Sequence, residues 1–390
     1  MFNTRTYLDC TAGLSGNPSS PHTEGRRAKQ MLEDARTAIA RLVEVQSDDV
    51  IFTSGATEAN ALAILGVAKK GDHMLYLPSA HASIVENMKL LSERGVEVEA
   101  LPIVDGRVDC EKLKKMLRPE TKLISMDAVC GETGVIWNTR EVAEVLRKEV
   151  KPHYQVGRFN LFPLLHVDAS QAPLTEKITR AHFGADMLSF DISKVSTVRG
   201  IGALIAHRTI PLESLYRGGG QERGLRPGSE SPELAKAFAA ALRVTALDRE
   251  KFRVSSERDR ANIVKIILET IPKVFINESR TPACAGRQAP NILNLSLLGR
   301  DTDYLVALLD EEGFAVSTRS ACETDSEEGS RAVFALTGDT ERAHSTLRIS
   351  WGPNIRSREL SRFAKALAQA VAFSAEGGSA SGGIDIKGQG

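Results

Sequence analysis

An α/β fold with a large, mostly parallel sheet and a smaller α+β domain behind it is what this chain's pattern predicts. From Val50 to about Ile205 short apolar runs alternate with amphipathic stretches, as covered parallel strands and their helices do. After a helical stretch from Pro232 to about Thr270 the pattern restarts with fewer elements. With 390 residues, 42% hydrophobic and 26% charged, the chain can bury a large core and build two domains. The expected limits are 12–245 for the large domain, 1–11 with 246–373 for the small one, and 374–390 as a disordered Gly- and Ser-rich tail.

The elements follow in order. Val50-Ile51-Phe52-Thr53 is β-rich and ends in the small-residue turn Ser54-Gly55-Ala56-Thr57, after which Glu58 to Lys69 reads as an amphipathic helix opened by Thr57. Free N–H groups at Ala56 and Thr57, with the Ser54 and Thr57 hydroxyls, suit an anion at the positive helix end. An ordinary capped helix has the same sequence. Met74 to Leu77 reads as a strand and Ser83 to Arg94 as a helix, with His81 at their junction. A histidine there is most often a structural hydrogen-bonding group. Lys122 to Met126 and Thr139 to Lys148 repeat the strand and helix, and the aromatic and basic run Lys151 to Asn160 reads as a loop.

Leu164-Leu165-His166-Val167 is a buried-looking strand that delivers Asp168 at its end, with Gln171 just beyond. Open α/β sheets gather ligand-binding groups at such ends. A carboxylate in that place suits a pyridinium nitrogen, whose proton it would hold, and equally a helix N-cap. Ala185 to Phe190 is the next strand, Lys194 follows it in a loop, and Gly200 to Ile205 returns as another strand. In the second half, Asn291 to Leu297 and Thr346 to Trp351 read as strands, and Thr302 to Glu312 and Arg356 to Phe373 as helices. Arg348 lies on the second strand, where its fork suits a carboxylate ligand or a cross-strand ion pair.

Charge and cysteine usage set bounds. Fifty acids against fifty bases give a formal charge of zero, so nothing favours nucleic acid or a membrane surface. Met1 to Thr6 lacks an apolar signal region, and no run reaches membrane-spanning length. Five cysteines without a CxxC pair argue for a reducing compartment, hence the cytoplasm, and against a metal cluster. Cys322 alone lies in a loop, Ser317 to about Ser330, rich in Ser, Glu, Asp and Gly, where an exposed and mobile thiol is expected. Cys10, Cys110, Cys130 and Cys284 read as small packing residues.

A lysine among 50 Lys plus Arg says little alone. With Asp168, Gln171, His81, Cys322 and Arg348 as companions, Lys194 points to pyridoxal phosphate chemistry on an amino-acid thiol. From Tyr7 to about Ala372 the chain resembles the cysteine desulfurases of the NifS/IscS type, within the class V aminotransferase group of fold-type I enzymes. The stretches that carry the resemblance, in the family's order, are Gly16 to Ser20, Phe52 to Glu58, His166 to Ala169, Gly218 to Arg223, Arg226 to Glu230 and Ser320 to Cys322.

The resemblance implies that Lys194 anchors pyridoxal phosphate covalently, that Asp168 partners the ring nitrogen and that Gln171 donates to the ring hydroxyl. It implies that His81 stacks on the ring and assists proton transfer, and that Ala56 and Thr57 hold the phosphate. Ser229 would reach a neighbouring subunit's phosphate across a homodimer interface. Arg348 would grip the substrate carboxylate, and Cys322 would take the sulfur of L-cysteine as a persulfide, leaving alanine. The persulfide then goes to a sulfur acceptor or scaffold protein, for iron–sulfur cluster assembly or thio-cofactor and tRNA sulfuration.

The chain also departs from that family near Lys194. Asp191-Ile192-Ser193-Lys194 stands where Ser-x-His-Lys is usual, so a carboxylate replaces a phosphate-binding serine. Either Asp191 points away, or Arg199 or Arg226 offsets it, or the cofactor binds weakly. Thr197-Val198 replaces Gly-Pro, Gly131 replaces an asparagine beside Cys130, Arg319 replaces a glycine, and Gly13 runs almost at once into Gly16, skipping a helix. These departures keep a second reading open, a desulfurase-like binding partner with attenuated catalysis. A third is selenocysteine lysis or another class V reaction.

Overall fold

The alternating apolar runs become a seven-stranded sheet in the computed structural model, which describes residues 6–149, 154–156, 159–161, 163–279, 287–318 and 329–377. The strands in chain order are β1 (Val50–Thr53), β2 (His73–Tyr76), β3 (Glu97–Ala100), β4 (Ile103–Val104), β5 (Arg107–Val108), β6 (Thr121–Asp127), β7 (Tyr154–Val156), β8 (Phe159–Leu161), β9 (Leu164–Asp168), β10 (Met187–Asp191), β11 (Gly202–Ala206), β12 (Val274–Ile276), β13 (Ile292–Leu297) and β14 (Thr346–Ser350). The helices are α1 (Thr23–Val43), α2 (Ala56–Leu65), α3 (Ala82–Glu93), α4 (Cys110–Met116), α5 (Thr139–Glu149), α6 (Arg180–Phe183), α7 (Pro232–Thr270), α8 (Thr302–Glu311), α9 (Arg331–Thr337), α10 (Thr340–His344) and α11 (Ser357–Gly377). They fall into two units: Met1–Pro102, Val108–Val129 and Trp137–Arg249 form one, and Ile103–Arg107, Cys130–Ile136 and Glu250–Gly390 the other.

In the first unit the sheet order is β1-β11-β10-β9-β6-β2-β3. The pairs β10–β9, β9–β6, β6–β2 and β2–β3 are parallel, and β11 runs antiparallel to both neighbours. Strands β9 and β11 are buried along their whole length, which is why their sequences run apolar without alternation. The registers Asp127↔Asp168, Asp168↔Ser189, Asp191↔Gly202 and Thr53↔Gly202 bring the carboxyl ends of β6, β9, β10 and β1 to one edge. Gly202 permits this packing, because a Cβ there would lie 2.5 Å from the Phe190 carbonyl oxygen and 2.6 Å from Gly55.

A buried ion pair ties α1 to this sheet. Arg36 donates through Nη1 and Nη2 to the two Glu222 carboxylate oxygens, each at 2.8 Å, and through Nη1 to the Val50 carbonyl at 2.7 Å. Glu222 also accepts the Phe52 N–H at 2.9 Å. Glu222 and Arg223 hold φ values of 48° and 62°, left-handed positions that side chains rarely adopt, so the clamp sustains local strain.

The second unit holds the antiparallel sheet β12-β13-β14. Buried Asn277 donates to Asn294 Oδ1 and Ser296 Oγ, both at 2.7 Å, which satisfies polar groups on the inner face. Three elements differ from the sequence reading. Helix α2 starts at Ala56 and stops at Leu65, with Gly55 rather than Thr57 before it, and it buries Asn60 among apolar residues. The stretch read as a loop before β9 contains the hairpin β7–β8. Helix α11 reaches Gly377, into the stretch read as tail.

Candidate active site

The carboxyl edge of the large sheet collects the polar groups of the first unit. Asp168 ends β9, 7% exposed. Its Oδ1 accepts the Ser170 N–H at 2.9 Å, the local turn a capping aspartate makes, while Oδ2 accepts from Asn60 Nδ2 at 2.7 Å. Asn60 is fully buried and donates from the same nitrogen to Ser83 Oγ at 2.8 Å. Sequence reasoning missed Asn60, although an amide inside the small apolar run Ala59 to Leu65 was a visible anomaly. Beneath Asp168, His166 bridges Ser125 Oγ at 2.8 Å and Ser189 Oγ at 2.9 Å. Burial holds its pKa down to about 4, against the pull of the Asp168 charge.

His81 precedes α3 as its N-cap, its Nδ1 accepting the Ser83 N–H at 3.2 Å and lying 2.8 Å from Ser83 Oγ. The structural capping role is therefore present, and the same ring is joined to Asp168 through Ser83 and Asn60. Lys194 is exposed and ends a 3-10 turn, Ile192–Lys194, rather than lying in an irregular loop. Asp191 builds that turn, with Oδ1 accepting the Ser193 N–H at 2.8 Å.

The second Asp191 oxygen decides one question left open by the sequence. Oδ2 accepts the Ala56 N–H at 2.9 Å, so the carboxylate points at the start of α2 and not away from it. Arg226 is taken by Glu58, at 3.3 Å, which also accepts the Tyr216 hydroxyl at 2.7 Å and the Ser54 N–H. Burial raises the Glu58 pKa, but those donors and the Arg226 charge outweigh it and hold the group below its usual range. Thr57 is exposed, Gln171 is half-buried in the turn after Asp168, and Ser229 is exposed ahead of α7.

In the second unit, Arg348 sits half-buried on β14 opposite Asn294, and its Nη1 donates to the Gly131 carbonyl at 3.5 Å. The cross-strand neighbours are an amide and, on the other side, Ser317, and no acid pairs with Arg348 among the described residues. Cys322 and Arg319 lie outside the described residues. Cys130 is buried and accepts the Thr133 N–H at 3.5 Å, as a packing residue does, and Cys110 is half-buried. Cys10 is exposed, which corrects its reading as a packing residue. Among the described residues no His, Cys, Asp and Glu cluster has metal-ligand geometry, and no helix is long and apolar enough to cross a membrane.

This arrangement suits one half of pyridoxal phosphate better than the other. For the ring, a buried carboxylate stands at the end of β9, with a histidine hydrogen-bonded into the same group and a lysine beyond the neighbouring strand. For the phosphate, the α2 amide that an anion would use already serves Asp191. The ring end fits, and the phosphate end is contested.

Comparisons with known proteins bear on the chain as a whole. The aminotransferase class-V family model matches residues 5–363. The chain is 32% identical over 359 residues to cysteine desulfurase IscS 1 of Archaeoglobus fulgidus, covering 90% of this chain and 88% of that protein. A solved NifS-like protein superposes with a TM-score of 0.81 at 27% identity, covering 92% of each chain. A structure of SspA in complex with cysteine superposes with a TM-score of 0.70 at 26% identity, covering 87% of this chain and 91% of that one.

Proposed function

We propose, from the premise that the chain belongs to the class-V aminotransferase family and within it to the cysteine desulfurases of the NifS/IscS type, that it removes sulfur from L-cysteine. That family depends on pyridoxal phosphate, and here Lys194, Asp168, Gln171, His81, Ala56 and Thr57 would hold it, with Ser229 offered to a second subunit. The observation that carries the reading is the Asp168 group: a buried carboxylate at a strand end, bonded through Asn60 and Ser83 to His81, on the sheet edge that leads to Lys194.

Pyridoxal phosphate, when bound, supplies the electron sink that makes the substrate α-proton removable. The rest falls to the chain. The Lys194 amine or the His81 imidazole moves the α-proton, Asp168 would keep the ring nitrogen protonated, and the Arg348 guanidinium binds the substrate carboxylate by its planar fork. The Cys322 thiolate attacks the substrate sulfur, so that an S–S bond forms as the substrate C–S bond breaks. The electron pair leaves with the carbon skeleton, which gains protons and departs as alanine, and a persulfide remains on Cys322. No outside oxidant is needed.

We further infer a cytoplasmic homodimer that hands the persulfide to an acceptor or scaffold protein for iron–sulfur cluster or thio-modification chemistry. The alternative of an attenuated desulfurase-like partner draws on one observation, the Asp191 carboxylate on the Ala56 amide. Alanine formation from L-cysteine by cofactor-saturated protein separates the two. Activity lost in both Lys194→Ala and Cys322→Ser supports the enzyme, and a wild-type chain no more active than Lys194→Ala supports the partner.

A further inference from the structure

Beside Asp168 four side chains form one series of hydrogen bonds, and their protons together with one main-chain N–H fix a single arrangement. Asp168 Oδ2 lies 2.7 Å from Asn60 Nδ2, which lies 2.8 Å from Ser83 Oγ, which lies 2.8 Å from His81 Nδ1. A carboxylate only accepts, so the Asn60 amide must present its nitrogen to Asp168. That nitrogen has two protons and no acceptor capacity, so its second proton goes to Ser83 Oγ. The Ser83 oxygen could accept from His81 as well as from Asn60, so the direction of the last bond is set by the main chain. The Ser83 main-chain N–H points at the same Nδ1, at 3.2 Å. His81 Nδ1 therefore receives two donors.

We infer that Asn60 and Ser83 are positioning residues that fix neutral His81 as the Nε2–H tautomer and couple it to Asp168. The inference rests on the proposed reading of His81 as a group of the active site. With Nδ1 saturated, neutral His81 meets its surroundings through an N–H and acts as a proton donor at Nε2, which leaves α-proton removal to the Lys194 amine.

The structural side of the series supports its rigidity. Ser83 and Asp168 are each 7% exposed and Asn60 is fully buried, so water does not compete for these bonds. Asn60 Oδ1 is buried without a hydrogen-bond partner, which leaves the amide anchored wholly through its nitrogen. An unsatisfied carbonyl oxygen is a cost that the two donated bonds must offset, and such a cost is retained where an orientation matters. Ser83 also occupies the first turn of α3, where alanine is a good helix former, so its hydroxyl can be removed without breaking that helix.

The test uses the cofactor-loaded full chain labelled with ¹⁵N-histidine. Its eight histidines make the spectrum tractable, and His81→Gln assigns the His81 signals by their loss. The wild type should show His81 with a protonated Nε2 and an unprotonated, hydrogen-bonded Nδ1. Ser83→Ala should move the Nδ1 signal toward that of a less hydrogen-bonded nitrogen and lower kcat about five- to tenfold, the loss of one orienting hydrogen bond, with KM for L-cysteine little changed. Ser83→Thr, which keeps the hydroxyl, should restore both. A protonated Nδ1 in the wild type, or an Nδ1 signal unmoved in Ser83→Ala, overturns the inference. The tautomer is read without turnover, so an inactive protein with the expected spectrum would defeat the desulfurase reading and leave this one standing.

Discussion

Replacing Asp191 by serine should tighten pyridoxal phosphate binding, and the structure sets the size of the effect. Asp191 Oδ2 and a cofactor phosphate would both be acceptors of the Ala56 N–H, so the two anions would sit within about 4 Å of one another. Two unit charges at that separation repel by about 4 kcal/mol at an effective dielectric of about 20. Asp191 is half-buried, so solvent and side-chain rotation relieve part of this. A serine hydroxyl adds a donor to a charged acceptor, worth about 1.5–3 kcal/mol at most. A net gain of about 2–3 kcal/mol corresponds to roughly 30- to 150-fold in Kd.

Titration of cofactor-free protein, followed by the absorbance of the lysine-bound cofactor, measures this directly, with pyridoxal as the control that lacks a phosphate. Asp191→Ser should tighten pyridoxal phosphate by that factor and leave pyridoxal within about threefold of the wild type. Asp191→Asn, which removes the charge and keeps the shape, should fall between. A serine variant that binds pyridoxal phosphate no more tightly, or that tightens both ligands equally, would refute the argument that the carboxylate opposes the phosphate.

Three further predictions concern the scaffold. Glu222→Ala leaves the buried Arg36 guanidinium with only the half-exposed Glu33, at 3.3 Å, and should cost about 3 kcal/mol by denaturant unfolding, whereas the double change Arg36→Met with Glu222→Leu should cost much less. His166 is neutral in the fold with a pKa of about 4 and charges near 6.5 when unfolded, so the unfolded chain binds the extra proton between those values. Stability should fall as pH drops from about 6.5 to 4, by about 3 kcal/mol, and His166→Gln should flatten that slope. Gly202→Ala should destabilise the large sheet by about 1–3 kcal/mol, because its Cβ would strike the Phe190 carbonyl and the Gly55 backbone, and unchanged thermal unfolding would remove that argument.

Much of the placement of the candidate residues was legible because strand ends announce themselves. Asp168 follows an apolar run, and β9 is buried from end to end as that run implies. Lys194 could be placed just past β10 for the same reason. Asn60 was not legible as a functional group, because an amide in a helical stretch has many uses and only the folded register shows what it faces. The start of α2 was misjudged by two residues for a similar cause. Thr57 is a strong N-cap by propensity, but Gly55 takes that position, and the amide it frees is satisfied by Asp191, 135 residues away. Cys10 read as a packing residue from its type alone, and its exposure depends on where the short N-terminal turn lies.

The two ends of the candidate site therefore differ in how firmly the chain commits them. At the ring end, the bonds from Asp168 to His81 are directed by the carboxylate at one end and the Ser83 main-chain N–H at the other, and losing any one polar group breaks the series. At the phosphate end, one carboxylate both caps the turn before Lys194 and occupies the helix amide, so one substitution changes the lysine turn and the anion cradle together. Asp191→Asn separates these roles, since its amide oxygen can still accept the Ser193 N–H while the charge is gone. If that variant gains cofactor affinity with alanine formation unchanged or raised, Asp191 acts on the cradle alone. If affinity rises while alanine formation falls, the charge of Asp191 also serves Lys194, and the departure from serine is part of this chain's chemistry rather than a loss from it.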